Sequence, residues 1–310
     1  EATKIESACS SGASAFRAGI MAVASGEVNS AMIVGVEKMT DAAPTEVTSA
    51  LATAADSDWE LEQGVSFVGL NALVMQRYMH EYGWKHEDFA PFSINSHANA
   101  VHNPNARLPF EISKEQYSKA SMVAAPISLL DASSIGDGAA ATLIVPLDEV
   151  RGDKSAVQIL GSGAATDTLS VHSRKAPLFL QAAYLSAKRA FAQAGMSHQD
   201  IDFFELHDAF SIMAALSLEA CGFAEQGQGP RLGLDNEITP KGGRIPVCTR
   251  GGLKARGHPV GATGMYQIVE SVQQLRGECG ETQVEGAKIG MAQNIGGSGA
   301  SILTHILKVP

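Results

Sequence analysis

The sequence has no apolar run approaching the ~18–20 residues that span a bilayer, so a membrane-crossing helix is not expected. No basic segment followed by an apolar stretch opens it, so nothing there reads as a signal peptide. Cysteines number only 4 in 310 residues, widely spaced and never as a CxxC pair. That pattern fits neither a disulfide framework nor a zinc site, so no metal is expected and a reducing cytoplasm is the expected location. Basic residues are in the minority, 23 against 33 acidic, giving a net charge of −10. Nucleic-acid binding relies on a basic face and is not expected. An anionic small substrate stays open, because Arg250, Lys254 and Arg256 gather just before Gly257-His258-Pro259.

What is present describes an ordinary globular chain, 45% apolar and 18% charged. Its length suggests about two domains. Residues 1–8 read as a strand entering a Gly- and Ser-rich turn; with no neighbour ahead of it, an N-terminal piece is expected to be missing. Residues 10–25 are small, helix-forming and free of proline, and predict a buried helix ended by Gly26. A strand over 31–36, a turn-rich stretch over 37–66, a helix over 67–82 and an irregular segment over 83–125 follow. The stretch 136–150 predicts a glycine turn and a buried strand. Beyond it come a strand (156–166), a helix (177–195), a strand (201–210), a helix (211–220), a loop (223–250), a glycine turn (252–264), a helix (265–276) and two strands near 287–293 and 299–307.

The two halves echo each other. ACSSGASAF, a helix and AMIVG, then SSIGDGAAATLIVPL, correspond to GHPVGATGM, a helix and AKIGMAQ, then QNIGGSGASILTHIL. A duplicated βα unit predicts an α/β protein with pseudo-two-fold symmetry, halves at 1–150 and 151–310, and an insertion at about 60–125 in the first half.

Cys9 stands where a predicted strand meets a helix N-terminus, whose N–H groups and positive partial charge lower a thiol's pKa. The alternative is a passive buried cysteine. His258 occupies the equivalent turn of the second half, so pseudo-symmetry places it opposite Cys9, the arrangement of a base-activated nucleophile. His207 ends a strand, where open α/β sheets place ligands, with Asp208 expected to cap the next helix. The glycines of 293–300 offer bare N–H groups, as an oxyanion hole does, although alone they make only a turn.

ACSSGASA with Cys9, HDAF at 207–210, GHPVGATG at 257–264 and NIGGSGA at 294–300, with SIGDGAAA at 134–141, occur in an order that resembles the thiolase family over essentially the whole chain. The HDAF and NIGG forms are similar to its sterol-carrier-protein and archaeal branches. The resemblance implies a duplicated fold in layers α-β-α-β-α and βα units ahead of residue 1. It implies an acyl-CoA C-acyltransferase that makes or cleaves a 3-oxoacyl-CoA, acetoacetyl-CoA from acetyl-CoA in the simplest case. Cys9, activated by His258, would carry the acyl group. Cys9 and Gly296 N–H groups would form one oxyanion hole, His258 and His207 the other, and Asn294 and Gly297 would lie against substrate. No cofactor is implied beyond coenzyme A as thioester substrate. A homodimer or homotetramer is implied, beside a small zinc-containing OB-fold partner and a 3-hydroxy-3-methylglutaryl-CoA synthase.

The sequence departs from that pattern in several places. The family's second acid/base cysteine is replaced by Asn294 at one place and Ala209 at the other, leaving Cys248 as a substitute. The Met-Gly-x-Gly-Pro element is absent, with RKAP (174–177) near its place. Two alternatives therefore remain: a retro-aldol lyase acting on a CoA ester, and a non-catalytic thiolase-like subunit.

Overall fold

The computed structural model describes residues 1–309. Helix α1 (Ser11–Ala24) starts one residue after its N-cap, Ser10, and runs into β1 (Ala31–Glu37). Helix α2 (Pro44–Ala52) lies in the stretch expected to be only turns. Proline at its first position and the Glu46 carboxylate accepting the Ala43 N–H account for it. Helix α3 (Phe67–Tyr82) covers the expected residues, capped by Ser66 and ended by Gly83 in the left-handed region. The insertion continues with α4 (Ala90–Ala100), α5 (Lys114–Ser118) and a small hairpin of β2 (Met122–Ala124) and β3 (Ile127–Ser128). Strand β4 (Gly138–Ile144) returns antiparallel to β1.

The second half carries β5 (Gln158–Thr166), α6 (Gln181–Ala194), β6 (Phe203–Glu205), α7 (Ser211–Ala220), α8 (Gly229–Leu234), α9 (Thr263–Arg276), β7 (Ile289–Gly296) and β8 (Ser301–Lys308). Its sheet runs β5-β8-β7-β6, with only β6 and β7 parallel. Strand β6 is far shorter than the 201–210 expected, because the chain leaves the sheet at Leu206 and turns into the site. The short helix α8 falls in the segment expected to be loop.

Helices α1 and α9 form a central layer between the β1–β4 sheet and the four-stranded sheet, and α6 covers the latter's outer face. The outer face of the smaller sheet, with Met32, Val36 and Leu143, is exposed. Residues 1–6 form no strand; only an isolated bridge joins Ser7 and Cys9.

Two glycines bring the halves together. A Cβ on Gly12 would stand 2.9 Å from the Gly261 carbonyl oxygen, and one on Gly264 would stand 2.3 Å from the Ala13 nitrogen. Backbones at the N-termini of α1 and α9 therefore meet with no side chain between them. The same crossing sets each half's turn on the other half's glycine loop. His258 N–H donates to the Ser134 carbonyl at 3.0 Å, and Gly296 packs against Ser7 and Ser10.

Candidate active site

Cys9 follows Ala8, which adopts φ +48, an uncommon conformation for a residue with a Cβ. The turn is held by Ser10 N–H to the Ser7 carbonyl (3.0 Å), Ser11 N–H to the Ala8 carbonyl (3.1 Å) and the Ser11 hydroxyl to the same oxygen (2.7 Å). The Cys9 sulfur, one nitrogen of His207 and one of His258 all lie within 4.8 Å of one another. Pseudo-symmetry anticipated the meeting of Cys9 with His258, and His207, expected at the end of its strand, joins them.

All three border a cavity of about 330 Å³. Its walls are mainly apolar, with Met39, Leu51, Phe67, Val68, Phe210 and Met213 contributing. Such a space suits an acyl group and the arm that delivers it.

Hydrogen bonds fix how each imidazole faces the cavity. The Thr263 hydroxyl donates to the Pro259 carbonyl (3.0 Å), so toward His258 Nδ1, at 2.6 Å, it acts as acceptor. Nδ1 of His258 therefore carries the proton and Nε2 keeps its lone pair, the form a general base needs. On the other ring, the Asn294 amide donates to His207 Nδ1 at 3.0 Å. Asn294 Oδ1 lies against Gly264, 2.5 Å from where a Cβ would stand. That spot faces a Cα–H, which suits the oxygen rather than the NH2 group. Nε2 of His207 therefore carries hydrogen and serves as a donor.

Burial keeps every member neutral. It raises the Cys9 thiol to about 11, against the lowering from the Gly297 and Cys9 N–H groups that bond to the sulfur; the Glu37 charge adds to the rise. The lowering comes from these two N–H groups rather than from the terminus of α1, and lost solvation outweighs it. Burial, with the Arg256 charge second, lowers His258 to about 3. His207 is lowered well below the ordinary imidazole value by burial, then by His258 and Arg256. Burial thus favours a thiol and two neutral imidazoles over a thiolate–imidazolium pair.

The remaining candidates fall differently. Gly297 borders the cavity and its N–H lowers the Cys9 thiol, whereas Gly296 is the last residue of β7 and does not border the cavity. Asn294 serves His207 instead of entering the cavity. Cys248 lies outside the cavity, with φ +50 and its thiol 3.8 Å from the Leu206 carbonyl. Burial, then the Asp208 and Glu205 charges, hold its pKa well above the usual range. That environment does not suit a proton carrier at the site.

Asp208 does not cap α7, the helix that follows it, but the turn at 252–256. Its carboxylate accepts from Leu253 N–H (2.6 Å) and the Ser96 hydroxyl (3.0 Å), and Phe210 stands at the N-cap of α7. Arg250, Lys254 and Arg256 are buried, not displayed to an anion. Arg256 pairs with Glu270 at 2.8 Å, Lys254 donates to the Asp131 carbonyl, and Arg250 donates to the His102 and Cys279 carbonyls. Charges so deep need partners, and the fold supplies them.

Three functional residues escaped the sequence reading. Thr263 orients His258; a threonine five residues past the histidine is the only sequence signal. Arg174, in RKAP, donates to the Ser298 carbonyl at 2.8 Å and so braces the Gly297 loop. Asn71 on α3 bonds the Phe67 carbonyl (2.9 Å) and lies 3.4 Å from the Ser298 hydroxyl.

Comparison with known proteins identifies the family. The family model for the thiolase N-terminal domain matches residues 1–148, and that for the thiolase C-terminal domain-like family matches residues 163–309. The chain belongs to the thiolase family. An acetyl-CoA acetyltransferase of Methanothermobacter thermautotrophicus is 46% identical over 305 residues, covering 98% of this chain and 79% of that protein. Sterol carrier protein 2 of Rattus norvegicus is 31% identical over 315 residues, covering 96% of this chain and 56% of that protein. Among solved structures, the Ltp2-ChsH2(DUF35) aldolase shares the thiolase fold with a TM-score of 0.84 at 24% identity, covering 96% of this chain and 77% of that one. The chain therefore carries the two-domain thiolase fold and, at family level, is a thiolase-type acyltransferase related to archaeal acetyl-CoA acetyltransferases.

Proposed function

We propose that this thiolase transfers an acyl group between acyl-CoA thioesters through an acyl-enzyme on Cys9, forming or cleaving a 3-oxoacyl-CoA, with acetoacetyl-CoA formation from two acetyl-CoA as the reaction. The observation that carries this reading is the convergence of the Cys9 thiol, the bare Nε2 of His258 and the Gly297 N–H on one apolar cavity. His258 Nε2 takes the thiol proton as sulfur attacks the thioester carbonyl. The resulting oxyanion meets preset N–H donors, and the departing CoA thiolate regains the proton from His258. Each preset donor contributes about 3–4 kcal/mol where charge develops in a dry site. A working homo-oligomer in the cytoplasm, beside a zinc-containing OB-fold protein and a 3-hydroxy-3-methylglutaryl-CoA synthase, completes the proposal.

Steady-state thiolysis of acetoacetyl-CoA tests it. The expected result is ping-pong kinetics for the wild type and loss of turnover in Cys9→Ala. Turnover that survives Cys9→Ala would overturn the reading.

One observation favours a second reading, a retro-aldol lyase: Asn294 and Ala209 leave no second thiol at the cavity. A lyase forms no acyl-enzyme, so acylation of Cys9 separates the two.

A further inference from the structure

A thiolase that condenses two acyl-CoA molecules moves two protons, one from its nucleophile and one from the α-carbon of the second substrate. Among the described residues bordering the cavity, only Cys9, His207 and His258 carry titratable groups. Cys9 is acylated when the second substrate must lose its proton. His207 accepts the Asn294 amide on Nδ1 and so presents N–H to the cavity, with no lone pair to take a proton. His258 is tied at Nδ1 to Thr263 and presents a lone pair. Neither Cys221, bonded through sulfur to the Gln293 amide, nor Cys248 borders the cavity.

The geometry points to a single-base thiolase, in which His258 carries the proton in both half-reactions and Asn294 is the positioning residue that confines His207 to donating. This deepens the acyl-transfer reading and rests on it. The steps balance. In the first half, Nε2 of His258 takes the Cys9 proton, the S–C bond to the acyl group forms, the C–S bond to CoA breaks, and His258 returns the proton to the leaving thiolate. In the second, the same nitrogen takes the α-proton of the second acyl-CoA. The carbanion forms its C–C bond at the Cys9 thioester while the oxyanion is held by N–H donors. The C–S bond to Cys9 then breaks, and the sulfur regains the proton from His258. After each half the imidazole is neutral again, so no second acid/base group is called for. His207 contributes as a donor to the enolate or oxyanion oxygen.

The test is exchange of the α-protons of acetyl-CoA in D2O, followed by mass spectrometry, in Cys9→Ala, which cannot be acylated. Exchange should occur with Cys9→Ala and fall about 100-fold when His258→Gln is added, the usual scale for losing a general base. Adding Asn294→Asp to that pair should restore part of the exchange. The carboxylate accepts from His207 Nδ1–H and so frees Nε2, an effect that a merely structural role for Asn294 would not produce. Exchange that persists at the Cys9→Ala rate without His258 would overturn the assignment, as would absence of exchange in folded Cys9→Ala. Should His258→Gln fail to fold, Cys9→Ala with Thr263→Val takes its place. It should lower exchange about tenfold by loosening the imidazole, and an unchanged rate would overturn the assignment. Failure of the acyl-transfer reading looks different: wild-type Cys9 then gains no acetyl group, whatever the exchange shows.

Discussion

His207 and His258 meet edge to face, with ring centroids 5.1 Å apart and planes at 87°. Two imidazoles this close repel if both are charged, and burial already disfavours charge on either. What distinguishes them is the partner behind each ring, an amide donor for His207 and a hydroxyl acceptor for His258. Two histidines from separate segments are thus set as a donor and an acceptor.

Replacing Thr263 with valine removes the acceptor that fixes His258. Acylation of Cys9 should slow about tenfold to hundredfold, with KM nearly unchanged, because orientation rather than binding is lost. Stopped-flow measurement of CoA release reads this directly.

Gly297 adopts φ +60, and a Cβ there would stand 2.9 Å from the Ala54 carbonyl oxygen. Gly297→Ala should therefore move the N–H that meets the Cys9 sulfur and lower kcat about 100-fold or more, the cost of one oxyanion donor. Arg174→Ala loosens the same loop through the Ser298 carbonyl and should have a smaller effect in the same direction. Single-turnover kinetics of both variants check the order.

Acid should destabilise the fold before it protonates the site. His207 and His258, with His305 in the core, are all lowered from the ordinary imidazole value of 6.5, the last two to about 3. Below pH 6.5 the unfolded chain binds protons at these rings while the folded chain does not. Stability is thus full above 6.5 and falls as pH drops toward about 3. Melting temperature measured over that range should decline steadily, and His305→Phe should flatten the decline.

The Cys9 thiol, raised to about 11, should react differently from an activated thiolate. Its alkylation by iodoacetamide should keep rising through pH 9, with no plateau near neutrality. A plateau below pH 8 would show a stable thiolate–imidazolium pair instead.

The site's frame was legible because its signals are local. Cys9 before Ser10-Ser11-Gly12, and His258 between Gly257 and Pro259, mark turns entering helices, and the repeat relates the two. Helix α3 was readable from its composition and from Gly83 as terminator. Long-range facts were not legible. Nothing beside Asp208 announces that Leu253 and Ser96, from distant segments, claim its carboxylate. Lys254 and Arg256 read as a basic cluster open to an anionic substrate until the fold buries them on Asp131 and Glu270. The choice of Gly297 over Gly296 turns on where a strand ends, a matter of one residue. Helix α2 was readable in principle, from Pro44 and Glu46.

The central claim is that Cys9 carries the acyl group. Intact-mass spectrometry after incubation with acetyl-CoA, run beside Cys9→Ala, tests it most directly. The account predicts a gain of one acetyl group on the wild type and none on the variant. A wild-type chain that stays folded, binds acetyl-CoA and gains no mass would contradict it.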